Sequence, residues 1–395
     1  MTPAERRASL SLAGIFAMRM LGLFLVLPVF ALEAAHLPGG NDPMLIGIAM
    51  GIYGLTQAVL QMPLGLASDR WGRKKVIVLG LAVFALGSVL AALAGSVHML
   101  VAARALQGAG AISAAVTALL ADLTRDEVRT KGMALVGMSI AGMFALSLVV
   151  APPLAGIVGL SGLFWATAAL SVVGIAVVLL ATPPEPKRHA DEPRGRLADV
   201  WLHPNLWRLD LGVFVLHTVQ MAMWGVVPGL LVHAGLSKAQ HWHVYLPAVL
   251  ASFVMLGGLF AAERRGQLRL VLRSGVALLL LVQLGLLLEA PHAPGFWTLG
   301  VLMFLFFTAF NLLEATQPSL ISRLAPRQAR GAALGVYNTL QSLGLFAGGA
   351  LGGWLVKDFG PSAVFTATTI LVALWLALGW RQPMPTPRSP APPAR

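Results

Sequence analysis

Cysteine is absent from the 395 residues, and charge of either sign is scarce. The first absence excludes disulfides, thiolate nucleophiles and Cys-type zinc sites. Asp, Glu, Lys and Arg together make 11% of the chain, against roughly 25% in soluble domains. That is too little charge to clothe a water-soluble surface. Acids are the rarer sign: 16 Asp and Glu stand against 28 Lys and Arg, for a net charge of +12. There is no phosphate-binding P-loop, no Gly-x-Ser-x-Gly elbow and no His-Glu-x-x-His pair, so ATP-driven and common hydrolytic chemistries lack their motifs. The expectation is a protein that is not an enzyme, with no cofactor and no metal. His241-x-His243 is the nearest approach to a metal spacing, and nothing is expected of it.

Apolar sequence is what the chain has in abundance. Hydrophobic residues make 57% and the mean hydropathy is +0.79. A membrane-spanning helix needs about 20 apolar residues. Twelve such runs follow one another, centred near Leu21, Leu55, Leu86, Ala111, Leu146, Val172, Leu216, Phe253, Leu280, Phe307, Leu345 and Leu371. Most are continuous apolar runs, without the alternation of barrel strands, so helices are predicted. The run from Leu10 to about Ala34 exceeds a signal-peptide core and reads as an uncleaved first span.

The basic residues fall into alternate loops and both ends. Lys238 and Lys357 occupy the opposite loops, and Arg19 and Arg104 lie inside apolar spans. This is the positive-inside pattern, which places both termini in the cytoplasm. The basic balance is therefore a signal of topology, and no nucleic-acid partner is expected. The location implied is a bacterial-type inner membrane.

Pro183 to Pro204 is polar, Pro-rich and basic, and it divides the chain. The expected organisation is a six-helix bundle over 1–182, a cytoplasmic linker over 183–204, a second six-helix bundle over 205–381 and a Pro-rich disordered tail over 382–395. The halves resemble each other. Ser68-Asp69-Arg70-Trp71-Gly72-Arg73 corresponds to Ala262-Glu263-Arg264-Arg265-Gly266-Gln267. Lys131-Gly132-Met133-Ala134-Leu135 corresponds to Arg330-Gly331-Ala332-Ala333-Leu334, and Leu163-Phe164-Trp165-Ala166-Thr167 to Val364-Phe365-Thr366-Ala367-Thr368. Correspondences in this order argue for a duplicated unit, a design used by transporters with a site between repeats.

The loop between spans two and three reads Gly65-Leu66-Ala67-Ser68-Asp69-Arg70-Trp71-Gly72-Arg73-Lys74-Lys75. A basic turn would satisfy the charge rule alone, but not the spacing of Gly65, Asp69 and Gly72. This loop resembles the signature of the Major Facilitator Superfamily. The resemblance implies two pseudo-symmetric six-helix bundles that rock around a central site. It also implies a conformational latch built from Gly65, Asp69, Arg70, Gly72, Arg73 and Asp122. Asp69 would face the start of span eleven, around Gly331 to Gly335, and Arg73 would pair with Asp122. Arg104-Ala105-Leu106-Gln107-Gly108 in span four is similar to a motif of proton-coupled members, leaving Arg104 a structural or a proton-tuning role. Span five offers Ser147, Ala151-Pro152-Pro153 and Ala155-Gly156, a degenerate form of the exporter pattern.

A closer resemblance, to the YajR-type branch of the twelve-span drug:proton antiporters, covers nearly the whole chain. It is carried by Arg19-Met20-Leu21-Gly22, Val26-Leu27-Pro28-Val29, Gly51 to Ala58, Arg104 to Ile112, and Ala309 to Ala315 with Pro318 to Ser322. The best-known member of that branch adds a small soluble domain after span twelve. This chain is expected to lack it.

Ionisable groups inside the membrane are functional candidates by default. Glu314 leads, with Asn311 and Phe307 on its helix face. It either carries the coupled proton or the substrate, or makes a structural pair, with Arg19 as the candidate partner. Arg19 either pairs or meets an anionic group. His217 is a core histidine or a proton site. Asp210 reads as a cap or interface residue. Tyr53, Gln57 and Gln61 form a polar stripe; with Gln107, Gln220, Trp224, Asn338 and Gln341 they line the cavity or its helix contacts. The expected function is secondary active transport, by proton-coupled efflux of an amphipathic small molecule, with protons and the bilayer as the other partners and a monomer as the working unit. Import or facilitated diffusion of a metabolite, and a receptor or scaffold without flux, are the alternatives.

Overall fold

A computed structural model describes residues 1–185, 200, 203–204, 206–264, 267–292, 294–326 and 329–382. Most of the expected linker and tail lie outside the described residues, as do Arg265 and Gly266 of the repeated loop.

All regular structure among the described residues is helical. In lipid the backbone must satisfy its own hydrogen bonds, which helices do. The helices are α1 (Pro3–Val26), α2 (Phe30–Ala34), α3 (Pro43–Trp71), α4 (Arg73–Ala92), α5 (Val97–Ala109), α6 (Ser113–Asp122), α7 (Asp126–Ala176), α8 (Trp207–His233), α9 (Trp242–Arg264), α10 (Leu268–Glu289), α11 (Phe296–Leu324), α12 (Arg330–Phe359) and α13 (Pro361–Gly379). Their starts follow local chemistry. Thr2 and Glu5 form a capping box with Pro3 in the first turn, and Asp42 caps α3 ahead of Pro43.

Among the described residues, ten helical stretches are long and apolar enough to cross a membrane. They reconcile with twelve spans through two features. The 51-residue α7 turns back at Gly159, where φ is 64°, so it holds spans five and six with no loop between them. The 23-residue α9 supplies span eight. Helices α5 and α6 together make span four.

Within the first six spans α1 and α4 pack on α7, and α3 on α5; within the last six, α8 packs on α12 and α13, and α11 on α9 and α10. The halves meet chiefly where α3 lies on α12. This seam has backbone against backbone. A Cβ on Gly47 would strike the carbonyl of Gly349, and one on Gly353 would lie 2.5 Å from the carbonyl of Pro43. Small residues permit such close approach. Along α12, Gly344, Gly348, Gly349, Gly352 and Gly353 all touch α3 or α8, whereas no described atom of another helix lies within 4 Å of a Cβ placed on Gly331 or Gly335. The seam is therefore tight toward the face away from the termini and loose toward the face that carries them. At the tight face Lys238 reaches Glu33 at 2.7 Å and Lys357 reaches Asp42 at 2.9 Å. Both ion pairs join the two halves.

Candidate functional site

The motif loop folds around Arg73, the first residue of α4. Gly72 turns the chain at φ 101°. The Arg73 guanidinium meets Asp69 at 2.5 Å and Asp122 at 3.3 Å, and it donates to the Ser68 hydroxyl and, at 3.5 Å, to the Gly65 carbonyl. Gly65 lies close to Ala114 of α6. Arg70 is exposed. The contact of Arg73 with Asp122 is thus present; residues 327 and 328, which lead into α12, lie outside the described residues. Sequence reasoning missed Glu185. Its carboxylate accepts from the backbone N–H groups of Arg73 and Lys74, an acid placed on a helix N-terminus. The only signal was an acid just after span six.

In the first half, Arg19 is buried and donates to the Tyr53 hydroxyl at 2.6 Å, Gln57 Oε1 at 2.9 Å and Ser113 at 3.5 Å. Arg104 is equally buried. It uses the carbonyls of Ala49 and Met50 and Gln107 Oε1, while Gln107 donates to Ser88. The Tyr53 ring lies between the two guanidiniums, at 5.9 Å from Arg19 and 5.2 Å from Arg104, a cation–π arrangement. Gln57 donates onward to Ser342 of α12 at 2.9 Å. Gln57 thus reaches the seam with α12, while Tyr53 serves Arg19 within the first half. Gln61 is buried.

In the second half the expected pair of Glu314 with Arg19 is not formed; this is a correction. Tyr53 and Gln57 of its own half hold Arg19, and the residues that reach Glu314 come from α8 and α12. Glu314 Oε2 lies 3.4 Å from His217 Nε2, and Gln341 Nε2 lies 3.0 Å from Glu314 Oε1 and 2.8 Å from His217 Nε2. His217 Nδ1 faces the Val213 carbonyl at 3.0 Å, which assigns the proton to Nδ1 in the neutral ring. Nε2 then accepts from Gln341. Once protonated, it donates toward Glu314. The trio can hold one proton in two arrangements without moving the backbone.

Around it, Phe310 packs on His217 at 5.7 Å, and Phe144 of α7 meets Phe307 and Phe310 at 6.1 Å each. These rings join the halves at mid-span. Asn311 donates to Ser252 of α9 at 3.1 Å. Gln220 and Trp224 are buried on the His217 face of α8, with Trp224 against Tyr245. Asn338 is half-buried, and its carbonyl accepts from Ser342. Asp210 makes no cap for α8, which corrects that part of its expected role.

The family model of the Major Facilitator Superfamily matches residues 12–349 and, in a second match, 261–395. The inner membrane transport protein YajR of Escherichia coli K12 is 44% identical over 383 residues, covering 96% of this chain and 84% of that protein. Multidrug resistance protein 2 of Bacillus subtilis is 26% identical, with 94% of each chain covered. Among solved structures, an inward-facing, occupied bacterial homolog of the human lysosomal transporter Spinster superposes with a TM-score of 0.74 at 15% identity, over 95% of this chain and 96% of that one. At that identity the likeness concerns fold alone.

Proposed function

The chain belongs to the Major Facilitator Superfamily and is a membrane transporter, and from that premise we propose that it exports an amphipathic small molecule in exchange for protons. The observation that carries the reading is the trio of Glu314, His217 and Gln341. It places a carboxyl, an imidazole and a bridging amide beside the aromatic contact between the halves. Opening to one side or the other changes the water around Glu314 and hence its hold on a proton. The apolar rings of Phe144, Phe307 and Phe310 suit an amphipathic ligand. The similarity to a multidrug resistance protein favours export. The charge rule puts the termini in the cytoplasm, and the likeness to an inner membrane transport protein supports an inner-membrane location. The tight face, with its two ion pairs, is then the outer gate, and the conformation is open inward. The contacts of Arg73 with Asp69 and Asp122 lie within the first half and stay formed with that side open, so they brace the inner loop, and Arg19 and Arg104 hold the first half around Tyr53. One chain contains both halves of the pathway, so it works as a monomer.

The test is proton flux in proteoliposomes loaded acidic inside, with a trapped pH dye. Ethidium, rhodamine 6G and neutral amphipaths are added outside. Discharge by wild type but not by Glu314→Gln supports antiport. Equal discharge by both moves the proton away from Glu314. Downhill flux without discharge makes the protein a facilitator.

A further inference from the structure

Three helices of the second half each carry two polar residues one or two turns apart: His217 and Asp210 on α8, Glu314 and Gln317 on α11, Gln341 and Tyr337 on α12. The upper residues are the bonded trio. The lower ones are buried and unbonded. Asp210 is 6% exposed, Gln317 0% and Tyr337 2%. Asp210 Oδ1, both amide atoms of Gln317 and the Tyr337 hydroxyl have no hydrogen-bond partner among the described residues. Leaving such groups unmet costs about 1–3 kcal/mol each, and buried polar clusters of this kind hold water.

Helix register stacks the two tiers. Gly344, Gly348 and Gly352 of α12 lie against Phe214, Thr218 and Ala222 of α8, a parallel register with steps of four. One turn lower it brings Leu340 level with Asp210 and Tyr337 just beneath. Helix α11 runs the other way. His217 faces Glu314, and the Gln317 Oε1 atom lies 2.9 Å from where a Cβ on Gly212 would stand. Gln317 is therefore between the tiers, and Tyr337 lies one helical turn below Gln341 on α12. Seven residues of helix separate Asp210 from His217, about 10 Å, which two or three waters span. Asp210 is in the first turn of α8, at the face that carries the termini.

We infer that Asp210, Gln317 and Tyr337 form a hydrated relay through which the proton on the Glu314–His217 pair leaves toward the face that carries the termini. The inference rests on the reading of that pair as the proton site. One proton moves from the Glu314 carboxyl to water held by the Gln317 amide, then to the Asp210 carboxylate, and from there through water at the Tyr337 hydroxyl to solvent; no electrons move. The other charged groups on the helices around this path are few, and α12 itself begins at Arg330. Arg208, on the same helix, stacks over Trp207; α11 carries Arg323 near its end; α13 carries no ionisable residue.

The test is infrared spectroscopy on the full chain in lipid nanodiscs, following the carboxylic-acid band of Glu314 after an upward pH jump. Glu314→Gln identifies the band. Asp210→Asn and Tyr337→Phe are each expected to slow its loss roughly tenfold or more, with the equilibrium titration midpoint of Tyr337→Phe unchanged and the rate restored by Asp210→Glu. Should Asp210→Asn fail to fold, Tyr337→Phe and Gln317→Leu carry the comparison. Unchanged rates in the folded variants overturn the relay and leave the proton site standing. Absence in wild type of any band removed by Glu314→Gln overturns the proton site, and the relay with it.

Discussion

His217 Nε2 stands 3.4 Å from a carboxylate oxygen of Glu314, and the amide of Gln341 reaches both. An amide bridging an acid and an imidazole fixes their separation while leaving the proton free to choose between them. Replacing His217 with Gln keeps the size and polarity but removes the proton acceptor. Charge-assisted hydrogen bonds are worth about 1.5–3 kcal/mol, so coupled flux is expected to fall roughly tenfold. Counterflow of the same compound without a pH gradient should persist. A pH dye and a radiolabelled exchange assay read the two separately.

Arg73 holds several groups at once: Asp69, Asp122, Ser68 and the Gly65 carbonyl. A forked guanidinium can do this and an ammonium cannot. Arg73→Lys is therefore expected to behave like Arg73→Met. Breaking a buried charge pair costs about 3 kcal/mol or more, and thermal unfolding in neutral detergent should show both variants destabilised relative to wild type.

The seam of α3 and α12 admits no added atom at Gly47 or Gly349. Gly47→Ala and Gly349→Ala should wedge the tight face apart and shift the population toward the state open on that side. The chain has no cysteine, so spin labels at Ala35→Cys and Ser237→Cys need no background removal. Double electron–electron resonance should show a longer distance in both glycine variants. An unchanged distance would mean that the helices slide, with no parting.

Lys357 beside Asp42 holds that carboxyl below its ordinary value. The pair therefore favours the closed face at pH above the ordinary carboxylate range and loses its effect as pH falls through the lowered value. Acidification should lengthen the same label distance, and Asp42→Asn should remove that pH response. Surface pairs are weak and screened, so a shift of a few-fold is expected, smaller in high salt.

Much of this was legible in the sequence because it was local. Glycine, acid and base within one loop place Arg73 by themselves, and continuous apolar runs mark spans without any knowledge of packing. Partner choice was not legible. Glu314 has a base available on α1 and an imidazole on α8, and sequence carries charge but not which helix faces which. Lys238 and Lys357 broke the charge rule in loops otherwise nearly free of bases; Glu33 and Asp42 nearby were the signal that they pair across the halves. The lower tier at Asp210 was hidden because Gln317 and Tyr337 look like ordinary interior residues until three registers are laid side by side.

The turn at Gly159 leaves spans five and six without a hydrophilic cap. No charged residue occurs between Lys131 and Glu185, and Ile157 and Val158 at the bend are exposed. That tip offers no charge to water. A protease or an impermeant reagent working from that side finds no long loop there to grip, and the bend lies beside the turn Lys238–Gln240, with Gly156 close to Ala239. Changes in bilayer thickness would thus press directly on the pair of helices that carries Phe144 to the junction of the halves.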